Sequence, residues 1–251
     1  MPAKTPVQTL QNPETPMPRD NRLDLLKWLA MLCMVLDHLR YVGWPLDILY
    51  IPGRLAFPWF CLALAANLMR KPQAPLTGRY LGWLLIFAAI AEVPYRMFVY
   101  PADTLNVLPT LALGLVVGKA WLQRTPWMLA LGAAVVVLAA VWQNHLMFGL
   151  AGVLLPLGFI LAWRRPLVWA LPLGVLCLAG NAWPSLFDSL RSLYLPAVGG
   201  IVACLLAPLL GMAVLRAPLT PVIAPMRRWA YAIYPLHFLV LLALRQVLRT
   251  Y

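Results

Sequence analysis

The sequence predicts an all-α, polytopic integral membrane protein with about nine transmembrane helices. Of its 251 residues, 63% are hydrophobic and 11% are charged, which is far from the mixture of a soluble domain. Apolar runs recur along most of the chain, many of them close to the ~20 residues that span a hydrocarbon core of ~30 Å. The net charge of +12 lies in short hinges between these runs. That distribution indicates membrane topology and argues against nucleic acid as a partner.

Nine apolar runs, separated by charged residues or by proline and glycine, are predicted to form the transmembrane helices in order. Many of them end in Trp or Tyr, as is typical of membrane–water interfaces. The second, fourth and seventh runs are short for a full crossing, which predicts little tilt, a thinned bilayer or partial re-entry. The predicted helices are residues 22–41, 55–69, 80–100, 107–121, 127–142, 146–163, 167–182, 193–215 and 229–248.

The first twenty residues, MPAKTPVQTLQNPETPMPRD, differ from the rest of the chain. They are polar and rich in proline, which predicts a disordered cytoplasmic arm over residues 1–20. The apolar run that follows lacks a small-residue cleavage site, so we expect it to stay as an anchor, with residues 21–251 forming one polytopic domain. The four cysteines lie in apolar segments without CxxC spacing, which predicts core residues: Cys33, Cys61, Cys177 and Cys204.

The distribution of basic residues predicts the orientation. They precede the first run and follow each even-numbered run, as Lys4, Arg19, Arg22, Arg70, Lys71, Arg79, Lys119, Arg124, Arg164, Arg165, Arg216, Arg227 and Arg228. The positive-inside rule places this side, and the N-terminus, in the cytoplasm of a bacterial inner membrane. The opposite hinges, near Asp47, Asp103, residues 143–145 and Asp188, carry little positive charge beyond Arg191. Arg245 and Arg249 near the predicted external C-terminus depart from the rule.

Polar residues from several segments fall at one predicted depth toward the outer face. They are Asp37, His38, Arg40, Arg54, Glu92, Arg96 and Asn106. A charge at the bilayer centre costs at least ~2.5–3.5 kcal/mol, so such groups usually pair in a protein interior or face a wet cavity. The pattern predicts one polar site surrounded by the first four helices.

Structural interpretations of the same residues remain open. Arg40 and Arg54 also fit interfacial side chains that reach for water. Glu92 and Arg96, four residues apart, also fit a self-contained ion pair across the proline of AEVPYR. Neighbouring side chains on a helix point ~100° apart, so Asp37 and His38 are not expected to pair only with each other.

Two of the three histidines are predicted within the membrane. Histidine titrates near neutral pH and suits proton transfer, so His38, with acidic and basic residues at its depth, is the candidate base. His237 lies in YAIYPLHFLVLL with Tyr231 and Tyr234 on preceding turns, and a core role is the alternative there. His145 falls in a hinge and is interpreted as a loop residue.

Lys27 and His38 lie on one face of the first helix, because eleven residues are three turns and ~16 Å of rise. Lys27, with Asp24 three residues before it, lies at the predicted cytoplasmic end of this helix. The stripe suits acyl-coenzyme A, whose phosphates would dock inside while the thioester reaches the histidine. A neutral imidazole would accept a proton from an attacking amine or hydroxyl, and Arg54 would stabilise the oxyanion. The sequence has no strong metal pattern, Gly-rich phosphate loop or GxSxG motif.

Several segments resemble known families. Asp24, Lys27, Ala30 and His38 in LDLLKWLAMLCMVLDH resemble the first-helix pattern of membrane acyltransferases that acetylate surface polysaccharides, with Lys27 where that family usually has arginine. DLLKWLAMLCMVLDHL, PGRLAFPWF, AEVPYR, LNVLPTLALGL and YPLHFL together resemble TraX, the conjugative-pilin N-acetylase family of plasmids.

The TraX resemblance implies an acyl-CoA-dependent N-acetyltransferase that uses acetyl-CoA, without a metal, to modify the N-terminal amine of a pilin at the periplasmic face. We assign His38, Asp37, Arg54 and Glu92 to catalysis, and Asp24, Lys27, Arg96, Asn106, Tyr234 and His237 to substrate or cofactor binding. The alternative function is a non-catalytic pilin chaperone or assembly factor. A small-solute transporter fits less well, because the two halves of the sequence show no repeat.

Overall fold

The computed structural model describes residues 19–76, 78–181, 186, 188–189, 192–218, 222–226 and 229–250. Within these residues the chain forms helices and no strand, as the sequence predicts. The long helices are α1 (Asn21–Leu39), α2 (Tyr50–Arg70), α3 (Arg79–Phe98), α4 (Val107–Gln123), α5 (Pro126–Val141), α6 (Gly149–Ala162), α7 (Leu171–Gly180), α8 (Leu195–Arg216) and α9 (Ala230–Thr250). The predicted disordered arm lies outside the described residues up to residue 18, as do Arg191, Arg227 and Arg228.

Each predicted helix corresponds to an observed helix, but the predicted number of nine membrane crossings is not supported by helix length. Among the described residues, four helices are long and apolar enough to cross a membrane: α2 with its preceding 3₁₀ turn, α3, α8 and α9. Helices α4, α5 and α6, and α7 with its own 3₁₀ turn, are apolar but have only 10–17 residues. Helix α1 is long enough, but Arg22, Asp24, Lys27 and Asp37 make it too charged.

Helix starts follow local chemistry. The Asp20 side chain accepts hydrogen bonds from the first backbone N–H groups of α1, and Asn106 does the same for α4. Helices α5, α7 and α8 have proline in their first turn, where its missing N–H costs no intrahelical hydrogen bond. Helix α2 starts at Tyr50 rather than at the predicted Leu55, because Pro52 and Gly53 also lie in a first turn.

Helix α2 lies at the centre of the bundle. It packs against α1, α8, α6 and α4, while α9 packs on α3 and touches α1. One hydrophobic core includes residues from α1 to α4 and α6 to α9, and all four cysteines are buried and unpaired by disulfides, as predicted. Because α1 and α9 lie on neighbouring parts of this core, residues far apart in sequence meet beside α2.

Hydrogen bonds between connecting segments define two ends of the bundle. Lys119 Nζ donates to the carbonyl oxygens of Lys71, Pro72 and Ala74 at 2.8–3.1 Å. Arg216 donates to the carbonyl oxygens of Trp163 and Arg165 at 3.1 and 2.8 Å. We call this the basic end, defined by Lys71, Lys119, Arg165 and Arg216.

The opposite end, defined by the loops at Asp47, Thr104 and His145, holds the remaining connections. The Leu105 N–H donates to the His145 carbonyl oxygen at 2.9 Å, and the Tyr194 hydroxyl donates to the Asp47 carboxylate at 2.7 Å. Consecutive helices therefore run in alternating directions between the two ends, as the spacing of basic hinges predicts.

Candidate functional site

A cavity of about 910 Å³ opens among the helices toward the opposite end. We call it the outer cavity. Its polar lining includes His38, Asp37, Arg40 and Arg54, and its walls are mostly aromatic and aliphatic. A mostly apolar pocket with a few convergent polar groups is the usual form of a small-molecule or catalytic site.

His38 and His237 form a hydrogen-bonded pair in this region. His38 Nδ1 lies 2.7 Å from His237 Nε2, although 199 residues separate them in sequence. The other ring nitrogen of His237, Nδ1, lies 3.2 Å from the Ile233 carbonyl oxygen one turn earlier on α9. Phe238 and Phe98 pack on the His38 ring at centroid distances of 5.0 and 6.3 Å. The imidazole of His38 is thus held from two sides.

Asp37 joins α1 to α2 through Arg54. The Arg54 guanidinium donates to Asp37 Oδ2 at 3.1 Å and to the side-chain oxygen of Asn181, at the end of α7. It also lies over the Tyr50 ring, 4.1 Å from the centroid. The Arg54 side chain is only 6% exposed, so its donors serve a buried network that ties three helices together. Arg54 also lines the outer cavity, and its role as an oxyanion donor stays a prediction.

The second oxygen of Asp37 accepts from Arg40. Arg40 Nε donates to Asp37 Oδ1 at 2.9 Å, and its Nη2 donates to the Tyr41 hydroxyl at 2.6 Å. Both carboxylate oxygens of Asp37 are therefore engaged by arginines, and among the described residues no hydrogen bond joins this carboxylate to His38. Arg40 remains 20% exposed at the cavity wall, which makes it the more accessible of the two cations.

Gly53 makes the close approach of α1 and α2 possible. A Cβ atom at this position would lie 2.5 Å from the Cβ, Cγ and Oδ1 atoms of Asp37. No real Cβ contact is that short, so any larger residue would displace Asp37 from Arg54 and Arg40.

Glu92, Arg96 and Asn106 form a separate network between α3 and α4. Glu92 Oε1 accepts from Arg96 Nε at 2.6 Å, and Oε2 accepts from the backbone N–H and side-chain amide of Asn106 at 3.0 and 2.7 Å. None of the three lines the outer cavity. Their hydrogen bonds satisfy one another and cap α4, which corresponds to the structural interpretation considered above and separates them from His38.

A second cavity, of about 670 Å³, lies nearer the basic end. We call it the inner cavity. Among the described residues that line it, Lys27 is the one charged side chain, and its Nζ lies 3.7 Å from Asp24. Met31 and Met34 continue the Lys27 face of α1 toward His38. The predicted stripe therefore lines two successive cavities.

The two cavities have four lining residues in common, Met34, Phe60, Val107 and Tyr234, which we call the junction. The Tyr234 hydroxyl accepts a hydrogen bond from the Val107 N–H at 3.3 Å, so it also fixes the start of α4 against α9. His38 lies one turn beyond Met34 on α1, on the outer side of this junction.

Comparison with known proteins identifies the family. The family model described as "TraX protein" matches residues 22–245, which include every predicted site residue. The chain belongs to the TraX family.

Two curated relatives match over part of this TraX-family chain. "Protein TraX" of Escherichia coli is 30% identical over 138 residues, 53% of this chain and 52% of that protein. An uncharacterized protein of Rickettsia prowazekii is 32% identical over 97 residues, 38% of this chain and 36% of that protein. The chain therefore spans about half the length of the first relative and a smaller share of the second. No solved structure matches this TraX-family chain.

The structure brings some of the predicted site residues together and not others. The outer cavity is lined by Asp37, His38, Arg54 and Tyr234. His237 on α9 forms a hydrogen bond with His38. Asp24 and Lys27 lie at the inner cavity's charged edge, and the Glu92 network stands apart. Asn181 has no predicted role, because its only signal in the sequence is an amide at the end of an apolar run. The sequence leaves Arg40 open between the polar site and an interfacial side chain, and the structure places it at the wall of the outer cavity.

Proposed function

We propose that this chain is a membrane acetyltransferase that moves an acetyl group from cytoplasmic acetyl-CoA to the N-terminal amine of a conjugative pilin at the periplasmic side. The observation that carries the proposal is the position of His38. It lies beside the junction of two cavities that extend toward opposite ends of the bundle. Membership of the TraX family supports the pilin as acceptor.

The proposed topology places the basic end in the cytoplasm of a bacterial inner membrane. Positive residues favour the cytoplasmic side of membrane proteins, and here they gather at one end of the helices. The alternating directions of the helices between the two ends support this orientation.

The inner cavity is the proposed path of the donor's arm. Its lining is mostly apolar, and Lys27 is placed to attract a phosphate group at the basic end. A long, thin pantetheine chain would pass Met31 and Met34 and present its thioester near His38. Phe60 and Tyr234, which line both cavities, would border this chain on its way from the inner to the outer cavity.

The proposed reaction needs one proton acceptor and one group that stabilises charge. The acceptor amine attacks the thioester carbonyl carbon, the carbon–sulfur bond breaks, and coenzyme A leaves as a thiolate. His38 takes the proton that the amine loses and returns it to the thiolate. Arg40, which borders the cavity and is partly exposed, is placed to stabilise the oxyanion of the tetrahedral intermediate.

Intact-mass analysis of the mature pilin tests the proposal. Cells that carry the pilin genes with this protein should yield pilin heavier by one acetyl group than cells without it. Pilin of equal mass in both strains, together with a pilin complex captured by crosslinking, would instead support an assembly factor.

Lys27→Gln should weaken the binding of acetyl-CoA without affecting the chemical step. Loss of one charged contact to a phosphate costs about 1.5–3 kcal/mol, which corresponds to a rise in the KM for acetyl-CoA of at least about tenfold at unchanged kcat. Initial rates at varied acetyl-CoA in membrane vesicles would measure this. Lys71→Gln is the matched control, since Lys71 is exposed at the same end and lines neither cavity. An unchanged KM in Lys27→Gln would remove Lys27 from the donor path.

A further inference from the structure

We propose that His237 is a positioning residue that fixes the tautomer of His38, with the proton on Nδ1 and the lone pair on Nε2. The inference rests on the proposed function and deepens it, because it names the group that prepares the base. It also makes a statement about proton positions that can be checked without any acetyl transfer.

The hydrogen bond on the far side of the His237 ring determines which nitrogen donates and which accepts in the pair. His237 Nδ1 lies 3.2 Å from the Ile233 carbonyl oxygen. A carbonyl oxygen accepts and never donates, so this nitrogen must carry the proton. A neutral imidazole has only one N–H group, and His237 Nε2 therefore carries a lone pair.

The neutral form of both rings is favoured by their surroundings. An uncompensated cation inside a membrane costs at least ~2.5–3.5 kcal/mol. In the part of the chain that the structure describes, no carboxylate forms an ion pair with either imidazole. Asp37, the nearest acid in sequence, is already shared by Arg40 and Arg54.

The contact between the two rings then fixes His38. His237 Nε2 can only accept, so His38 Nδ1, at 2.7 Å, must donate. The nitrogens are 2.7 Å apart and the ring centroids 4.9 Å apart, which requires both nitrogens to lie nearly on the line between the centroids. The ring planes differ by 15°, so the rings meet edge to edge rather than face to face. This is the alignment of an in-plane hydrogen bond. His38 Nε2 is left with its lone pair, and no described residue forms a hydrogen bond to it.

The remaining neighbours hold the His38 ring in this orientation. Phe238, which is 1% exposed, packs on His38 at 5.0 Å and on His237 at 4.0 Å between centroids. A histidine suits this position better than a carboxylate would, because a neutral partner orients the base without adding a buried anion. The side chain that orients the base therefore comes from α9 and not from Asp37 on the same helix.

The tautomer of His38 is measurable by NMR of the purified protein labelled with ¹⁵N-histidine in lipid nanodiscs. The chain has three histidines, so a His145→Gln background leaves only the signals of the pair. We expect the unaltered pair to show a protonated Nδ1 and a bare Nε2 on His38. His237→Leu should produce a population with the proton on Nε2, and His237→Gln, whose amide oxygen can accept from Nδ1, should restore the original form.

Acetylation of the mature pilin with acetyl-CoA gives the second readout. His237→Leu should lower kcat by at least about tenfold with little change in KM, because a base in the wrong tautomer is lost to the reaction. His237→Gln should recover most of the rate, whereas a purely structural role predicts no such selective recovery. His145→Gln alone should match the unaltered protein.

Two results would overturn the inference: a proton on Nε2 of His38 in the unaltered protein, or an unchanged tautomer in His237→Leu. Failure of the proposed function looks different. If the unaltered protein transfers no acetyl group while the tautomer shifts as expected, the acetyltransferase proposal is wrong and the orientation of His38 by His237 stands.

Discussion

His38→Ala should abolish acetylation of the pilin while the protein still inserts and folds. A general base contributes ~10²–10⁴-fold to a rate, so we expect the acetylated fraction to fall below detection in cells. The side chain is only partly buried at the edge of a cavity, and its removal leaves the Asp37–Arg54 network intact. Intact-mass spectra of the pilin measure the activity, and membrane-fraction immunoblots measure the amount of inserted protein.

His145→Gln is the matched control for this experiment. It removes a histidine from the opposite end of the bundle that hydrogen-bonds there through its backbone carbonyl, which the substitution keeps. Full acetylation of the pilin in His38→Ala cells would exclude His38 from the chemistry and with it the proposed mechanism.

Hydrophobic length predicted the helices well and the crossings poorly. The run starting at Val107 was located to the residue, because Asn106 is both a polar break and the N-cap. The start of α2 was placed five residues late, because Pro52, Gly53 and Arg54 look like a hinge in sequence. In the fold they belong to the start of α2, where Gly53 and Arg54 are buried against Asp37. Burial between helices also allows short apolar helices, so the number of runs does not give the number of spans.

The polar site was predicted as a single cluster, but the structure divides it in two. Residues at one membrane depth need not share one face, and Glu92 turns toward Asn106 rather than toward His38. The His38–His237 pair could not be derived from spacing, because a separation of 199 positions in sequence leaves the packing of α9 beside α1 undetermined. The Lys27–His38 stripe was predictable because it depends on one helix alone.

Arg54→Leu should destabilise the protein by about 1–3 kcal/mol, the usual cost of leaving a buried polar group without its hydrogen-bond partner, because the Asn181 oxygen loses its donor while Asp37 keeps Arg40. The substitution removes the shared donor of Asp37 and Asn181, so α1, α2 and α7 lose their common polar contact. Unfolding in mixed micelles with increasing SDS, followed by tryptophan fluorescence, would measure the change in the free energy of unfolding.

Arg40→Leu provides a matched comparison, because Arg40 and Arg54 bind the same carboxylate from different environments. Arg40 pairs across three residues of one helix and is 20% exposed, whereas Arg54 is 6% exposed and joins separate helices. Exposed pairs contribute ~0.2–1 kcal/mol, so Arg40→Leu should be mild. Asn181→Leu combined with Arg54→Leu should recover part of the loss, since the Asn181 oxygen is then no longer buried without its donor. Equal destabilisation by the two arginine variants would mean that the network does not hold α2 against α1 and α7, and that the outer cavity is shaped by apolar packing alone.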